Sequence, residues 1–309
     1  MTLTQFSYII AIDNHKSFAE AANNCFVTQP TLSMQVKKLE EELGVRIFDR
    51  SKQPVKATEI GKKIIEQARV VLCENERIHN LIDVEKGEFS GKFKVGIIPT
   101  IAPYLIPLFL KSFIKKYPKV ELIFDELQTD QIINKLVKDE LDTAIIATPT
   151  NRKELIEKNL YYEPFVAYVS ESHKLFKQRK VNSKELNIKD IWLLKDGHCL
   201  RDHVIQVCSS LNVAKKESIV QLSFEGGTLD TLMKLVDNNF GMTLLPYLAT
   251  LDINKTAKVK HLREFNKPIP GRTVSIIYHR AYVKEKLINA FEKEILSAIS
   301  KNLLFKELR

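Results

Sequence analysis

Cysteine, tryptophan and long apolar runs are scarce in this chain of 309 residues, which contains four cysteines and one tryptophan. A membrane-spanning helix needs a run of about 18 apolar residues, and the sequence offers none. The N-terminal stretch contains Asp13 and His15 and has neither a basic head nor a small-residue cleavage motif, so it does not resemble a signal peptide. We therefore expect a cytoplasmic protein whose thiols are kept reduced and in which any disulfide is conditional.

Motifs for catalysis and for cofactor binding are also absent. The sequence contains no P-loop, no GxGxxG, no nucleophile elbow and no HExxH. His198, Cys199, His203 and Cys208 supply possible metal ligands, but no paired CxxC or HxxxH spacing completes a tetrahedral zinc site. We expect no metal, no cofactor and no enzymatic activity.

Positive charge is present in excess, and its distribution decides what it means. The formal net charge is +9, yet the first 87 residues contain 12 basic and 12 acidic residues. Within that neutral segment, residues 46–63 carry six Lys or Arg against two acids, whereas Glu40, Glu41 and Glu42 concentrate negative charge just before them. A local basic patch is therefore predicted near the N-terminus, and such patches are typical of nucleic-acid contacts.

The N-terminal segment has the pattern of three short helices. Apolar residues at 3, 6, 9, 10 and 12 predict an amphipathic first helix. Ser17 is placed to cap a second helix from Phe18 to Cys25, and Phe26 and Val27 make a turn. Thr28 then caps a third helix, with Pro30 in its first turn and Gly44 at its end. Two short helices joined by a tight turn predict a helix-turn-helix.

The exposed face of the third predicted helix is polar. Small hydroxyl and amide groups can read base edges, and lysines can hold phosphates. A solvated face without a partner is the alternative, and the segment that follows argues against it. Residues 45–61, "VRIFDRSKQPVKATEIG", predict two short strands around a polar turn, a basic wing directly after the helix. The combination predicts a winged helix-turn-helix.

A long helix is predicted from Glu59 to Glu85, capped by Thr58. Spacings of four and three residues define a seam typical of a coiled coil, which favours dimerisation; its members are Ile64, Ala68, Val71, Asn75, Ile78 and Ile82. The alternative is a helix packed on its own domain. The polar, glycine-containing stretch 85–92 is predicted to be a hinge.

The residues "SFAEAANNCFVTQPTLSMQVKKLEEELGVRIFDRS" and the later "ATEIG" closely resemble the N-terminal domain of LysR-type transcriptional regulators. The resemblance implies a dimeric winged helix-turn-helix whose second motif helix enters the major groove of double-stranded DNA. It places these residues at bases, phosphates or the wing: Gln29, Pro30, Thr31, Ser33, Gln35, Arg50 and Lys52.

The remainder of the chain alternates strand-like and helix-like segments, which indicates an α/β fold with a largely parallel sheet. Strands are predicted at "KFKVGII", "VELIFDE", "LDTAIIAT", "PFVAYVSES", "IWLLKD", "SIVQLSF", "GMTLLP" and "TVSIIYH". This half resembles the two-lobed, periplasmic-binding-protein-like effector domain of the same family. We predict a DNA-binding domain over 1–58, a linker helix over 59–88 and a regulatory domain over 89–309. Within the last, lobe I spans about 89–163 and 267–309, and lobe II about 164–266.

Cys199 and Cys208 lie nine positions apart in "DGHCLRDHVIQVCSS". Cys199 sits at the expected start of a helix between His198 and Arg201, and both a helix N-terminus and cationic neighbours favour the reactive thiolate. Cys208 lies among apolar residues and is expected to be packed. On a regular helix the pair would be about 13 Å apart and on opposite faces, whereas a disulfide needs Cα atoms within about 7 Å. Oxidation would have to unwind the helix; two unrelated cysteines are the alternative.

This stretch, with "IPTIAPYLIP", "LQTDQ" and "GMTLLP", resembles the hydrogen-peroxide-sensing members of the family. The resemblance implies that peroxide oxidises Cys199 to a sulfenic acid and that Cys208 resolves it as a disulfide. It places around the peroxide pocket Thr100, Thr129, His198, Arg201 and Asp202, and it assigns Arg272 to a regulatory interface. It further implies an oxidative-stress activator in which homodimers assemble to a homotetramer and act on RNA polymerase. A metabolite-responsive regulator and a thiol peroxidase remain as alternatives.

Overall fold

The computed structural model describes residues 1–51, 53–85, 89–209, 227–279 and 284–302. The chain divides into two compact units. The first consists of Met1–Phe89 with Ala281–Glu285, and the second of Ser90–Arg280 with Lys286–Arg309. Within the described ranges, no helix is both long and apolar enough to cross a membrane.

Three helices form the core of the first unit: α1 (Leu3–His15), α2 (Phe18–Asn24) and α3 (Gln29–Leu43). The Ser17 hydroxyl accepts a hydrogen bond from the backbone of Glu20 and caps α2 as predicted. Thr28 is the N-cap of α3, but its hydroxyl bonds to that of Thr31 (2.8 Å) and not to the backbone. Gly44 ends α3 with φ +68°, a left-handed conformation that favours glycine.

The predicted wing is present as an antiparallel pair, β1 (Phe48–Asp49) and β2 (Lys56–Ala57). The Thr58 hydroxyl then accepts from the backbone of Gly61 (2.9 Å) at the start of α4 (Glu59–Glu85). Ala68, a member of the predicted seam, is buried in the core of this domain. The first turns of α4 therefore pack on their own domain, whereas Ile78 on the same predicted seam is 62% exposed.

The second unit alternates helices and strands. Its elements are β3 (Gly91–Ile97), α5 (Ala102–Lys116), β4 (Val120–Glu126), α6 (Thr129–Val137), β5 (Thr143–Ile146), β6 (Leu155–Val169), β7 (Lys180–Val181), α7 (Cys199–Ser209), α8 (Leu229–Asp237), β8 (Met242–Pro246), α9 (Lys255–His261), β9 (Leu262–Phe265), β10 (Gly271–His279) and α10 (Glu285–Asn302). Aromatic rings fill one core, in which Phe291 of α10 lies 5.2–5.5 Å from the rings of Phe93, Phe109 and Phe113.

One mixed sheet runs through this unit in the order β4-β3-β5-β10-β6-β9-β7, with β8 also paired to β6. The long strand β6 joins the two lobes, because its first part pairs with β10 and its last residues pair with β8 and β9. A second core packs on these last residues and includes Leu200, Val204 and Cys208 of α7. Strand β6 therefore connects the lobe of β3 to β5 with the lobe that holds α7.

Two details of the predicted α/β architecture are wrong. The sheet is mixed and not largely parallel: β3, β4 and β5 are parallel, but β10 runs antiparallel to both β5 and β6. The segment "IWLLKD" forms no continuous strand, because Ile191 and Leu194 each make only an isolated bridge, that of Ile191 being to Met242. Its bulky apolar residues pack on the second core. The predicted strand "SIVQLSF" lies outside the described residues.

Candidate functional site

Cys199 is the first residue of α7, and Cys208 lies on the same helix near its end. The chain turns into the helix through Gly197, whose φ of +91° is a conformation that side chains disfavour. Both cysteines are free thiols; Cys199 is half-buried and Cys208 is buried. The helix places them about 13 Å apart along its axis. The predicted helical form of this segment is confirmed, and a disulfide cannot form without unwinding it.

Cys199 opens onto a very small pocket, with a cavity volume of about 10 Å³, between α7, the start of α6 and the segment after β3. A cavity of this volume has room for about one water-sized molecule. The pocket is lined by Ile98, Pro99, Thr100, Gln128, Thr129, Gly197, His198 and Cys199. Three of the predicted peroxide-site residues, Thr100, Thr129 and His198, therefore lie together beside the thiol. Gln128 and Gly197 were not predicted from the sequence, although each directly adjoins a predicted residue.

The hydroxyl oxygen of Thr129 is buried in this pocket and has no hydrogen-bond partner among the described residues. A buried polar atom without a partner is costly, so the pocket offers a donor and acceptor to a small polar molecule. Thr100 is arranged differently: its hydroxyl oxygen accepts from Nη1 of Arg272 at 2.8 Å. Because that bond occupies an acceptor position, the Thr100 proton remains available for donation.

Burial lowers the pKa of the His198 imidazole, and Lys195 lowers it further. His198 is therefore neutral near pH 7 and presents one donor and one acceptor. Arg201 and Asp202, the other two predicted pocket residues, are not among the lining residues. Arg201 donates to the carbonyl of Leu194 (3.1 Å) and pairs with Asp196 (2.7 Å), while Asp202 is exposed.

Burial raises the pKa of the Cys208 thiol to about 11. The folded helix thus keeps Cys208 protonated and unreactive near pH 7, since the thiolate is the nucleophile. Cys199, half-buried and beside the pocket, is the one of the two that a small oxidant can reach. The two thiols therefore differ in chemistry while they share a helix.

Arg272 does not lie on a surface, which differs from its predicted place at a regulatory interface. Its guanidinium is buried and donates to Glu163 through Nε (2.9 Å) and to both the hydroxyl and the carbonyl of Thr100. The second oxygen of Glu163 accepts from the backbone of Leu248 (3.0 Å). One buried ion pair on β10 and β6 therefore holds Thr100 at the pocket and also reaches the segment after β8.

A second candidate surface lies on the winged helix-turn-helix. Gln29, Pro30 and Thr31 are exposed in the first turn of α3, and Ser33 is half-buried one turn further. Arg50 of the wing donates to Ser33 Oγ (3.3 Å) and Glu40 Oε2 (3.1 Å). A groove is lined by Lys16, Ser17, Phe18, Ala19, Gln29, Ser33, Arg50, Gln53, Pro54 and Val55. The structure thus brings together most of the residues predicted to contact DNA.

Two of the predicted DNA-contacting residues stand apart from this group. Gln35 is half-buried, and its side-chain oxygen accepts from Nε2 of Gln5 (3.3 Å), which ties α3 to α1. Lys52 lies outside the described residues, as does the side chain of Cys73. Cys25 packs against the helix-turn-helix core.

A wider cleft in the second unit is lined by residues that include Thr100, Tyr104, Asp230 and Asp252. Burial and these two aspartates raise the pKa of Tyr104 to about 12, so its hydroxyl stays protonated. Throughout the described part of the chain, no group of three or more His, Cys, Asp or Glu side chains is arranged to hold a metal ion.

A winged helix-turn-helix joined to a two-lobed α/β domain with a thiol pocket defines a DNA-binding regulator with a sensory domain. Comparison with known families agrees with this class. Residues 3–62 match the bacterial regulatory helix-turn-helix proteins of the lysR family, and residues 86–299 match the LysR substrate binding domain. The chain belongs to the LysR family of bacterial transcription regulators.

Several similar proteins within this family have names that refer to hydrogen peroxide or to OxyR. The chain is 33% identical over 97% of its length to the hydrogen peroxide-inducible genes activator of Haemophilus influenzae, of which 96% is covered. It is 34% identical over 90% of its length to the DNA-binding transcriptional dual regulator OxyR of Escherichia coli, of which 89% is covered.

Solved structures show the same relationship. A full-length OxyR variant from Pseudomonas aeruginosa is 34% identical, with a TM-score of 0.76 over 96% of this chain and 98% of that one. A hydrogen-peroxide-bound OxyR variant from Corynebacterium glutamicum is 27% identical, with a TM-score of 0.63 over 97% of this chain and 93% of that one.

Proposed function

We propose that this protein is a transcription regulator that senses hydrogen peroxide through Cys199 and Cys208 and controls oxidative-stress genes. The observation that carries the proposal is the pocket itself. The pocket contains the half-buried thiol of Cys199 at a helix N-terminus and the buried Thr129 hydroxyl, which has no hydrogen-bond partner among the described residues. Its volume suits a very small polar molecule. Relatives named for peroxide support the choice of oxidant.

In the proposed reaction the thiolate of Cys199 attacks one oxygen of hydrogen peroxide. The S–O bond forms as the O–O bond breaks, the cysteine becomes a sulfenic acid, and the second oxygen leaves as water after it takes up a proton. The Thr100 and Thr129 hydroxyls orient the peroxide, and His198, buried and neutral, offers a hydrogen bond to it. The Cys208 thiol then attacks the sulfenic sulfur, water leaves, and the disulfide forms with two waters released for each peroxide.

The second step requires a change of fold. Cys208 reaches Cys199 only when α7 unwinds, and unwinding also removes the burial that keeps the Cys208 thiol protonated. Oxidation therefore replaces one conformation of this segment by another, and a cellular reductant restores the first. Since α7 packs on the second core through Leu200 and Val204, its rearrangement alters that lobe. This two-state segment is the proposed switch.

The remaining parts of the proposal concern partners and location. We propose that Gln29, Pro30, Thr31 and Ser33 face bases or phosphates of double-stranded DNA, with Arg50 and Lys52 on the wing. A homodimer through α4, assembling to a homotetramer that acts on RNA polymerase, follows from the same interpretation. A reversible disulfide requires a reducing compartment, so we place the protein in the cytoplasm.

The test is to treat the reduced full-length protein with about one equivalent of hydrogen peroxide, to map its disulfides by mass spectrometry and to compare DNA footprints. We expect a disulfide between Cys199 and Cys208 and a changed footprint. Cys199→Ser should bind DNA and ignore peroxide, whereas Cys208→Ser should stop at the sulfenic acid. A Cys199 that stays a thiol in the wild type, or a footprint that does not move, would contradict the proposal.

The same preparation tests the alternatives. A thiol peroxidase would consume many equivalents of peroxide in steady state when a thiol reductant is supplied. Its rate of peroxide consumption would be far above the rate at which the DNA footprint changes. A metabolite-responsive regulator using the wider cleft would leave Cys199→Ser fully inducible in cells. We expect near-stoichiometric peroxide consumption and no induction of the Cys199→Ser variant.

A further inference from the structure

Phe26 lies in the turn between α2 and α3 and is 95% exposed, so its ring contacts almost nothing in the part of the chain that the structure describes. An exposed apolar side chain is common in proteins, but this one also has an unfavourable backbone. Its φ is +56°, in the left-handed region that bulky residues rarely adopt. Neither burial nor backbone preference accounts for a phenylalanine here.

The turn has the hydrogen bonds of a Schellman motif. The backbone N–H of Phe26 donates to the carbonyl of Asn23 (3.2 Å), and that of Val27 donates to the carbonyl of Ala22 (3.0 Å). Phe26 therefore occupies the left-handed position that terminates α2, where glycine or asparagine is the favourable residue. For folding alone, asparagine would serve better than phenylalanine at this position.

The place of the ring points to its use. Phe26 stands two residues before Thr28, the N-cap of α3, and therefore three residues before the exposed first turn of that helix begins at Gln29. In helix-turn-helix proteins, the N-terminal residues of this helix meet base edges in the major groove. The C5-methyl group of thymine is the apolar feature of that groove, and phenylalanine is one of the side chains that contact it.

Resting on the proposed DNA-binding function, we propose that Phe26 reads a thymine methyl group in the major groove of the operator and contributes to its sequence specificity. The ring of Phe26 extends the exposed surface formed by Gln29, Pro30 and Thr31. Thus Phe26 is a specificity residue that weakens the fold slightly and strengthens DNA recognition.

The probe is a duplex that the full-length wild-type chain selects from a random-sequence library. Each thymine in turn is replaced by deoxyuridine, which removes the methyl group and keeps the base pair. Affinities are measured by fluorescence anisotropy at fixed salt for the wild type, Phe26→Asn and Leu3→Asn. Leu3 is a matched control, because it is an exposed apolar residue of the same domain near the opposite end of α3, where the Met1 ammonium pairs with Glu42.

At one thymine per half-site, deoxyuridine should weaken wild-type binding about fourfold, the value of one buried methyl group. Phe26→Asn should bind the thymine duplex more weakly and show no change on that replacement, while Leu3→Asn should behave as the wild type. The melting temperature of Phe26→Asn should lie between that of the wild type and a value about 4 °C higher, since a favourable residue now terminates α2.

The inference is overturned if no single thymine methyl matters to the wild type, or if Phe26→Asn retains the same sensitivity to deoxyuridine. It is also overturned if Phe26→Asn binds DNA normally and loses only transcription activation, because the ring would then face a protein. If the wild type selects no sequence from the library, the proposed DNA-reading function fails before the role of Phe26 is reached.

Discussion

Thr129 shows most directly how single atoms define the pocket, because its buried hydroxyl has no partner among the described residues and lies beside Cys199. We expect Thr129→Val to slow the oxidation of Cys199 by hydrogen peroxide roughly 10²-fold, the usual cost of removing one oriented donor. The free energy of unfolding should stay equal or rise by about 1 kcal/mol, since an unsatisfied polar atom is removed. Stopped-flow kinetics and denaturant unfolding measure the two quantities.

Thr148 provides the control for this variant. Its hydroxyl oxygen is also buried without a partner in the described part of the chain, but Thr148 does not line the pocket. Thr148→Val should therefore gain similar stability and keep the wild-type oxidation rate. Equal rates in both variants would remove Thr129 from the reaction.

At the scale of elements, α7 must unwind before the two thiols can meet. Gln206 is an exposed residue within α7. Gly disfavours a helix relative to Ala by about 1 kcal/mol, so Gln206→Gly should form the disulfide about fivefold faster than Gln206→Ala. The rate of sulfenic acid formation should be the same in both, because the pocket is unchanged. Single-turnover kinetics separates the two steps.

Equal rates of disulfide formation in the two Gln206 variants would show that α7 does not unwind on the path to the disulfide. The variants are matched in position and differ only in helix preference and one methyl group. A change confined to sulfenic acid formation would also count against the proposed sequence of steps, since Gln206 does not line the pocket.

Local patterns predicted α1 to α4, the wing and the helix that begins at Cys199, because caps, turn residues and helical periodicity are encoded over a few residues. They did not predict the antiparallel course of β10 or the length of β6, because strand direction and register depend on partners far along the chain. In the pocket, resemblance found Thr100 and Thr129. It missed Gln128 and Gly197, whose roles arise from proximity to α7 and from a φ of +91°.

The buried Arg272–Glu163 pair could not be predicted for the same reason. The two residues face each other in the register of β10 and β6, and no sequence pattern links positions so far apart. Removing one partner of a buried ion pair lowers the free energy of unfolding by about 3–5 kcal/mol, because the remaining charge stays buried without a partner. Because Arg272 also donates to Thr100, the same ion pair both links β10 to β6 and holds Thr100 in position at the pocket.

At the scale of the whole molecule, the proposed dimer associates through α4. Ile78 is 62% exposed on the predicted seam, and a charge at a seam position opposes packing of two helices. We expect Ile78→Asp to lower the association constant of the dimer at least about tenfold and to make DNA binding depend steeply on protein concentration. Sedimentation velocity across a concentration series measures the effect.

Glu66→Ser is the matched surface variant, because Glu66 is exposed on α4 and lies off the seam. It should sediment as the wild type. If Ile78→Asp also sediments as the wild type, the helix serves its own domain and the dimer is formed elsewhere. The burial of Ala68 shows that the first turns of α4 already pack on their own domain.

The stability of α7 also sets the highest peroxide concentration at which the proposed sensor can still be reduced back to its starting form. While the helix holds Cys208 away, the sulfenic acid at Cys199 waits, and a second peroxide molecule can convert it to a sulfinic acid that ordinary thiols do not reduce. A less stable helix would shorten that wait and tolerate higher peroxide concentrations. With a more stable helix, more of the protein would be oxidised irreversibly to the sulfinic acid during a severe exposure. The stability of this one short helix therefore sets the range of peroxide concentrations between the first response and permanent damage.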